Sequence, residues 1–292
     1  MKKRTSFSTK GQRADIGEMT IYRMLPNRYS DKVGSFVFLD HIAPKINDVV
    51  KTAGTGAHPH RGIATLSYIM NGEDEHFDSA GNYAKVYSGG VQWMKAGNGI
   101  IHDETLNYDS KTTGRLIHGF QFWINLPSKI KAENPAYLAI DGNEVPQKEL
   151  PDKSGWIKII TGNYEDLSAK IPEYLPQFLY HIHLEAGKQF SIDIEYEVEV
   201  AAFLPLHSVV INDSKFDAGE FVEFDMEKGE IEIKNTLDEA IDILLFGGDR
   251  YVEPIVAQGP FVMNTQQEIA QAYQDFHTGK YGEINYNTSS PE

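Results

Sequence analysis

The chain has no cysteine, which excludes disulfides, thiolate metal ligands and cysteine nucleophiles together. It has no apolar run near the roughly 18–20 residues that a membrane helix requires. The charged start Met1-Lys2-Lys3-Arg4 is followed by Thr5-Ser6-Phe7-Ser8 and not by the apolar core of a signal peptide. A cytoplasmic protein without membrane contact is expected. Basic clusters are missing beyond residues 2–4, and 27 basic against 42 acidic residues leave a net charge of −15. Nucleic acid is repelled by such a surface, so no direct nucleic-acid contact is expected. A neutral small molecule, or an anion drawn in by a local metal charge, is compatible with it.

Long amphipathic helices are absent from the first 125 residues. What fills the chain is short extended runs: 35–40, 64–70, 84–87, 91–95 and 118–124 read as strands, with Asn71-Gly72 as a hairpin turn after the second. A sandwich or barrel of antiparallel strands is favoured. At 292 residues the chain fits two domains. A first domain is expected over residues 1–130. A Lys-, Glu-, Asn- and Pro-rich linker follows over 131–154. A second β-rich domain over 155–285 has strands near 177–184, 190–194, 197–204, 230–234 and 241–246. One helix is signalled, by the capping pattern Thr265-Gln266-Gln267-Glu268 and the stripe Ile269, Ala272, Tyr273 and Phe276, with Gly279 as its stop. Residues 286–292 read as a frayed tail.

The chemistry lies in two short patterns, His58-Pro59-His60-Arg61-Gly62 and Gly99-Ile100-Ile101-His102-Asp103-Glu104. Each contains a pair of ligand-type residues two apart, which on a strand point to the same face. Neighbouring strands lie roughly 5 Å apart, so two such pairs can converge on one ion. Three imidazoles and a carboxylate suit a divalent first-row transition metal, and six-coordinate geometry would leave two positions open. Iron(II) is the first choice, with manganese, nickel and cobalt as alternatives that these residue types do not separate.

These motifs, with Glu75-His76-Phe77-Asp78-Ser79-Ala80-Gly81, Gly90-Val91-Gln92-Trp93-Met94, His118-Gly119-Phe120-Gln121-Phe122-Trp123 and Gly259-Pro260-Phe261-Val262-Met263-Asn264, resemble the pirin signature of the cupin superfamily. The resemblance implies an all-β bicupin: two stacked cupin β-sandwich barrels, metal in the first alone, and a C-terminal helix. It carries the metal ligands onto His58, His60, His102 and Glu104. One departure is Ala64, where pirins commonly have Glu.

By the same resemblance the expected activity is that of a quercetin 2,3-dioxygenase-like enzyme. It would act on a flavonol or another aromatic or enediol substrate with O2, and Glu104 would serve as both ligand and catalytic base. The alternative is a redox- or iron-sensing regulator that binds a transcription factor or other protein partner. Gln92, Phe120 and Phe122 are candidates for substrate contact, although strand alternation turns only half of 120–123 inward. His76, among four acidic residues, reads as part of a solvated hairpin face. Arg61 fits either an anion-orienting role or a salt bridge. The pair His181 and His183, without a second pair downstream, reads as polar strand residues and not as a second metal site.

Overall fold

The computed structural model describes residues 1–17, 19–51 and 54–287. It is built from antiparallel strands and one α-helix, Gln266–His277, and divides into two compact units. One comprises Met1–Gln12, Arg23–Val37 and Val145–Tyr251; the other comprises Arg13–Tyr22, Phe38–Glu144 and Val252–Glu292.

In the first of these units a seven-stranded sheet runs Thr5–Lys10, Glu220–Phe224, Val198–Phe203, Ile241–Asp249, Gln177–Leu184, Gly155–Thr161 and Gln147–Glu149. A four-stranded sheet holds Gln189–Ile194, Gly229–Lys234, Val209–Ile211 and Ser214–Phe216. Period-two alternation sends Tyr180, Ile182 and Leu184 into a core with Val200, Ile231, Ile233 and Ile243. The other face of the same strand carries His181 and His183.

The second unit also pairs a large sheet with a small one. In the large sheet Ala136–Ile140, Val91–Lys95, Ile63–Asn71, Leu116–Asn125 and Phe36–Ile46 lie side by side. The small sheet runs His58–His60, Ile100–Asn107, Glu73–Asp78 and Tyr83–Tyr87. Asn71-Gly72 therefore does not close a hairpin. Strand Ile63–Asn71 pairs with Val91–Lys95 and Leu116–Asn125, while Glu73–Asp78 pairs with Ile100–Asn107, so this turn carries the chain from one sheet to the other. Gly72 turns there at φ 124°, where a Cβ would meet the Asn107 carbonyl oxygen at 2.6 Å.

The domain limits differ from the expected ones at both ends and in the middle. The N-terminal strand Thr5–Lys10 pairs with Glu220–Phe224 and so belongs with the later residues. The helix belongs with residues 38–144 and not with the second β-block. There Phe261, Met263, Ile269, Ala272 and Tyr281 form a buried cluster, with Ile101, Tyr273 and Phe276 packed against it. The expected linker holds two edge strands, Ala136–Ile140 and Gln147–Glu149, of which only the second has the polar composition that an unpaired sheet edge favours. Of the expected tail, residues 288–292 lie outside the described residues, and the Tyr286 hydroxyl donates to Asp103 Oδ2 at 3.0 Å.

Candidate metal centre

Strand register brings the two motifs together. In the small sheet Ile100 lies opposite His60 and His102 opposite His58, while on its other side His102 faces Asp78 and Glu104 faces His76. Opposite residues in an antiparallel pair share a face, so His58, His60, His102, Glu104, His76 and Asp78 all project to one side. This is the interior of the unit, and it is polar where a core would be apolar.

The ligand-type atoms of His58, His60 and His102 lie within 4.8 Å of one another. Those of His76, His102 and Glu104 form a second such group, so Glu104 falls with His76 and shares only His102 with the first. His102 Nδ1 stands 3.9 Å from Glu104 Oε1. His76 contradicts its expected exposure. It is 1% exposed, its Nε2 bonds Asp78 Oδ2 at 3.1 Å, and its ring stacks on Tyr137 at 4.3 Å. Asp74, His76 and Asp78 are spaced by two and all buried, a signal masked by the acidic residues around them.

The imidazoles are prepared as lone-pair donors. His58 Nδ1 meets the Gly56 carbonyl at 2.7 Å and His60 Nδ1 meets the Pro260 carbonyl at 3.2 Å. A carbonyl only accepts, so each Nδ1 carries the proton and each Nε2 is left with its lone pair. Burial, with His58 next to it, pushes His60 down to about 3. Burial also pushes His102 well below its ordinary value, helped by His60, His58 and His76. Both are neutral at pH 7. Neither ring nitrogen of the buried His102 has a hydrogen-bond partner among the described residues. A buried imidazole with two orphaned nitrogens beside two oriented lone pairs fits a metal ion.

Glu104 is positioned from the large sheet. Ser67 Oγ donates to its Oε1 at 3.3 Å and Gln121 Nε2 to its Oε2 at 2.9 Å. On strand Leu116–Asn125 the inward half is thus Gln121 and Trp123, and the Trp123 ring lies edge-on to His60 at 5.0 Å. Phe120 stacks on His41 at 5.2 Å and reaches the pocket wall, whereas Phe122 is fully buried away from the pocket lining. Gln92 is also engaged elsewhere, donating to the Asp74 carbonyl at 2.9 Å and accepting from the Tyr137 hydroxyl. Ala64 is out of phase with Ser67 by an odd number of residues, so it faces away from Glu104.

Arg61 makes the salt bridge. Its Nη1 donates to Asp275 Oδ2 at 2.7 Å, tying the helix to the His58–His60 motif. Lys280 and Arg61 together hold the Asp275 carboxyl at about 2. Gly62 follows at φ 82°, with the Val262 carbonyl oxygen 2.0 Å from where a Cβ would be. Only glycine allows that approach.

Beside Glu104 is a cavity of about 100 Å3, lined by polar Ser67, Asp74 and Gln121 and by apolar Ile42, Ile69 and Leu106 among others. In the other unit His181 Nε2 and His183 Nδ1 both bond Asp242 Oδ1, at 2.9 and 2.8 Å.

Two family models cover most of the chain: Pirin over residues 18–124 and the Pirin C-terminal cupin domain over residues 179–282. A pirin-like protein of Caulobacter vibrioides is 32% identical over 277 residues, covering 92% of each chain. The chain belongs to the pirin family.

Among solved structures, the quercetin 2,3-dioxygenase of Acinetobacter baumannii matches with TM-score 0.88 and 29% identity, over 98% of this chain and 100% of that one. A bacterial pirin of Escherichia coli in complex with nickel(II) matches with TM-score 0.63 and 22% identity, over 84% of this chain and 99% of that one. The second likeness supports the fold alone: the pirin bicupin. Among the described residues no helix is long and apolar enough to cross a membrane.

Proposed function

We propose that this pirin is a metal-dependent dioxygenase acting on a flavonol or related enediol, with His58, His60, His102 and Glu104 as ligands and iron(II) as the metal. The observation that carries the reading is His102, buried with both nitrogens orphaned beside the oriented lone pairs of His58 and His60. The likeness to a quercetin 2,3-dioxygenase supports the choice of substrate class. A bound divalent ion would supply Lewis-acid stabilisation of an ionised substrate oxygen.

The protein's own groups do the rest. Glu104 accepts the proton of the substrate hydroxyl, and Gln121 and Ser67 fix the carboxylate for that transfer. Ile42, Ile69 and Leu106 exclude water and pack against an aromatic ring. His58, His60 and His102 would hold such an ion through their ring nitrogens.

Oxygen uptake by metal-loaded protein with flavonols tests the reading. Glu104→Gln should still take up metal at excess, yet lose roughly 100-fold or more in turnover, the scale of losing a general base. Parent-like turnover by that variant would remove Glu104 from the role of base. No uptake by the parent with any flavonol or enediol would turn the reading towards a regulatory protein.

A further inference from the structure

Asp74 is a buried carboxylate of the cavity to which the proposed chemistry gives no role. It is 4% exposed and lines the same pocket as Glu104, and its Oδ1 has no hydrogen-bond partner among the described residues. Its backbone is held in place, because its carbonyl accepts from Gln92, which is itself engaged by Tyr137. A buried carboxyl oxygen left without a partner is costly, and native proteins rarely tolerate one unless something else fills the need. Asp74 belongs to neither group of metal-ligand atoms. A polar group on a molecule that enters the pocket would satisfy it.

We infer that Asp74 sets substrate choice here: its unpartnered oxygen hydrogen-bonds a second hydroxyl of an aromatic substrate whose first hydroxyl is taken by Glu104. This rests on the reading of the pocket as a flavonol or enediol site. A hydroxyl can donate to an ionised Asp74 or accept from a protonated one, so the contact survives in either state. A carbonyl serves only the second case and a methyl group neither. The pocket thus selects ring systems with at least two hydroxyls, laid against Ile42, Ile69 and Leu106.

The test uses metal-loaded full-length protein with 3-hydroxyflavone and its derivatives carrying one further hydroxyl at different ring positions. Dissociation constants come from quenching of tryptophan fluorescence, and kcat and KM from oxygen uptake. The parent should prefer at least one dihydroxy compound by about tenfold or more, the worth of a buried hydrogen bond. Asp74→Leu should bring that ratio close to 1, mainly through KM and the dissociation constant. Asp74→Asn, which can still hydrogen-bond, should keep part of the preference and guards against a folding defect in the leucine variant. A parent that binds 3-hydroxyflavone but gains nothing from any second hydroxyl overturns the role of Asp74 alone. So does a preference that survives Asp74→Leu. A parent that binds none of the compounds overturns the flavonol reading and this inference with it.

Discussion

Folding strongly displaces the titration of His60 and His41. Burial, with His58 beside it, takes His60 from 6.5 to about 3, and burial with His118 takes His41 from 6.5 to about 3. Between those values the unfolded chain binds protons that the folded chain does not, so stability rises with pH through the window and is lost as pH falls. Each ring should contribute a slope of about 1.4 kcal/mol per pH unit there. The melting temperature of metal-free protein should accordingly drop steadily from pH 6.5 to pH 4 and level off above pH 7. A flat profile would mean that these rings are not held neutral. At this scale the sequence was readable where period two sufficed: His58, His60 and His102 share a face because their strands pair in register. It was unreadable at His76, whose acidic neighbours mimic a solvated turn. It was unreadable too along 120–123, where each face carries a large aromatic residue beside or in place of a polar one.

The helix and its cap form the next scale. Thr265 Oγ1 accepts from the Glu268 amide at 3.2 Å, and Glu268 Oε2 accepts from the Asn264 amide at 2.9 Å, a reciprocal cap like the one read from the sequence. Thr265→Ala should cost about 1 kcal/mol, seen in denaturant unfolding, without altering metal content. Arg61→Met should cost more, about 1.5–2 kcal/mol, since it removes the Oδ2 partner of Asp275, leaving Lys280 and Gln271 on Oδ1, and frees the helix from the His58–His60 motif. Amide exchange should accelerate across residues 266–277 in that variant. Unchanged protection there would show that the Phe261 and Ile269 cluster holds the helix without the ion pair. The helix was legible because its signals are local. Its allegiance to residues 38–144 was not, since Arg61 and Asp275 lie 214 residues apart.

For the whole molecule, metal should act as a stabiliser of the folded state. The candidate ligands on His58–His60 and Ile100–Asn107 are brought together only after those strands pair. At free metal of about 100 times Kd the gain is about 2.7 kcal/mol. Thermal unfolding should rise with added Fe(II) or Ni(II) under anaerobic conditions and fall back on chelation. Loading that leaves the midpoint unchanged would mean the ion binds folded and unfolded chain alike. The β-rich, two-block character followed from short strands and turns. The exchange of chain ends between the blocks could not be read, because pairing of Thr5–Lys10 with Glu220–Phe224 leaves no trace in neighbouring residues.

That exchange bears on the order of events during synthesis. The unit that gathers the imidazoles includes Val252–Glu292, so its residues 38–144 leave the ribosome long before their helix exists. Until residue 275 emerges, Arg61 has no counter-charge, and until residue 260 emerges, His60 has no carbonyl to orient its ring. The nascent chain therefore carries the candidate ligands His58, His60 and His102 well before the residues that orient them. Selection of an ion by geometry is therefore available only after residues 260 and 275 have emerged and docked.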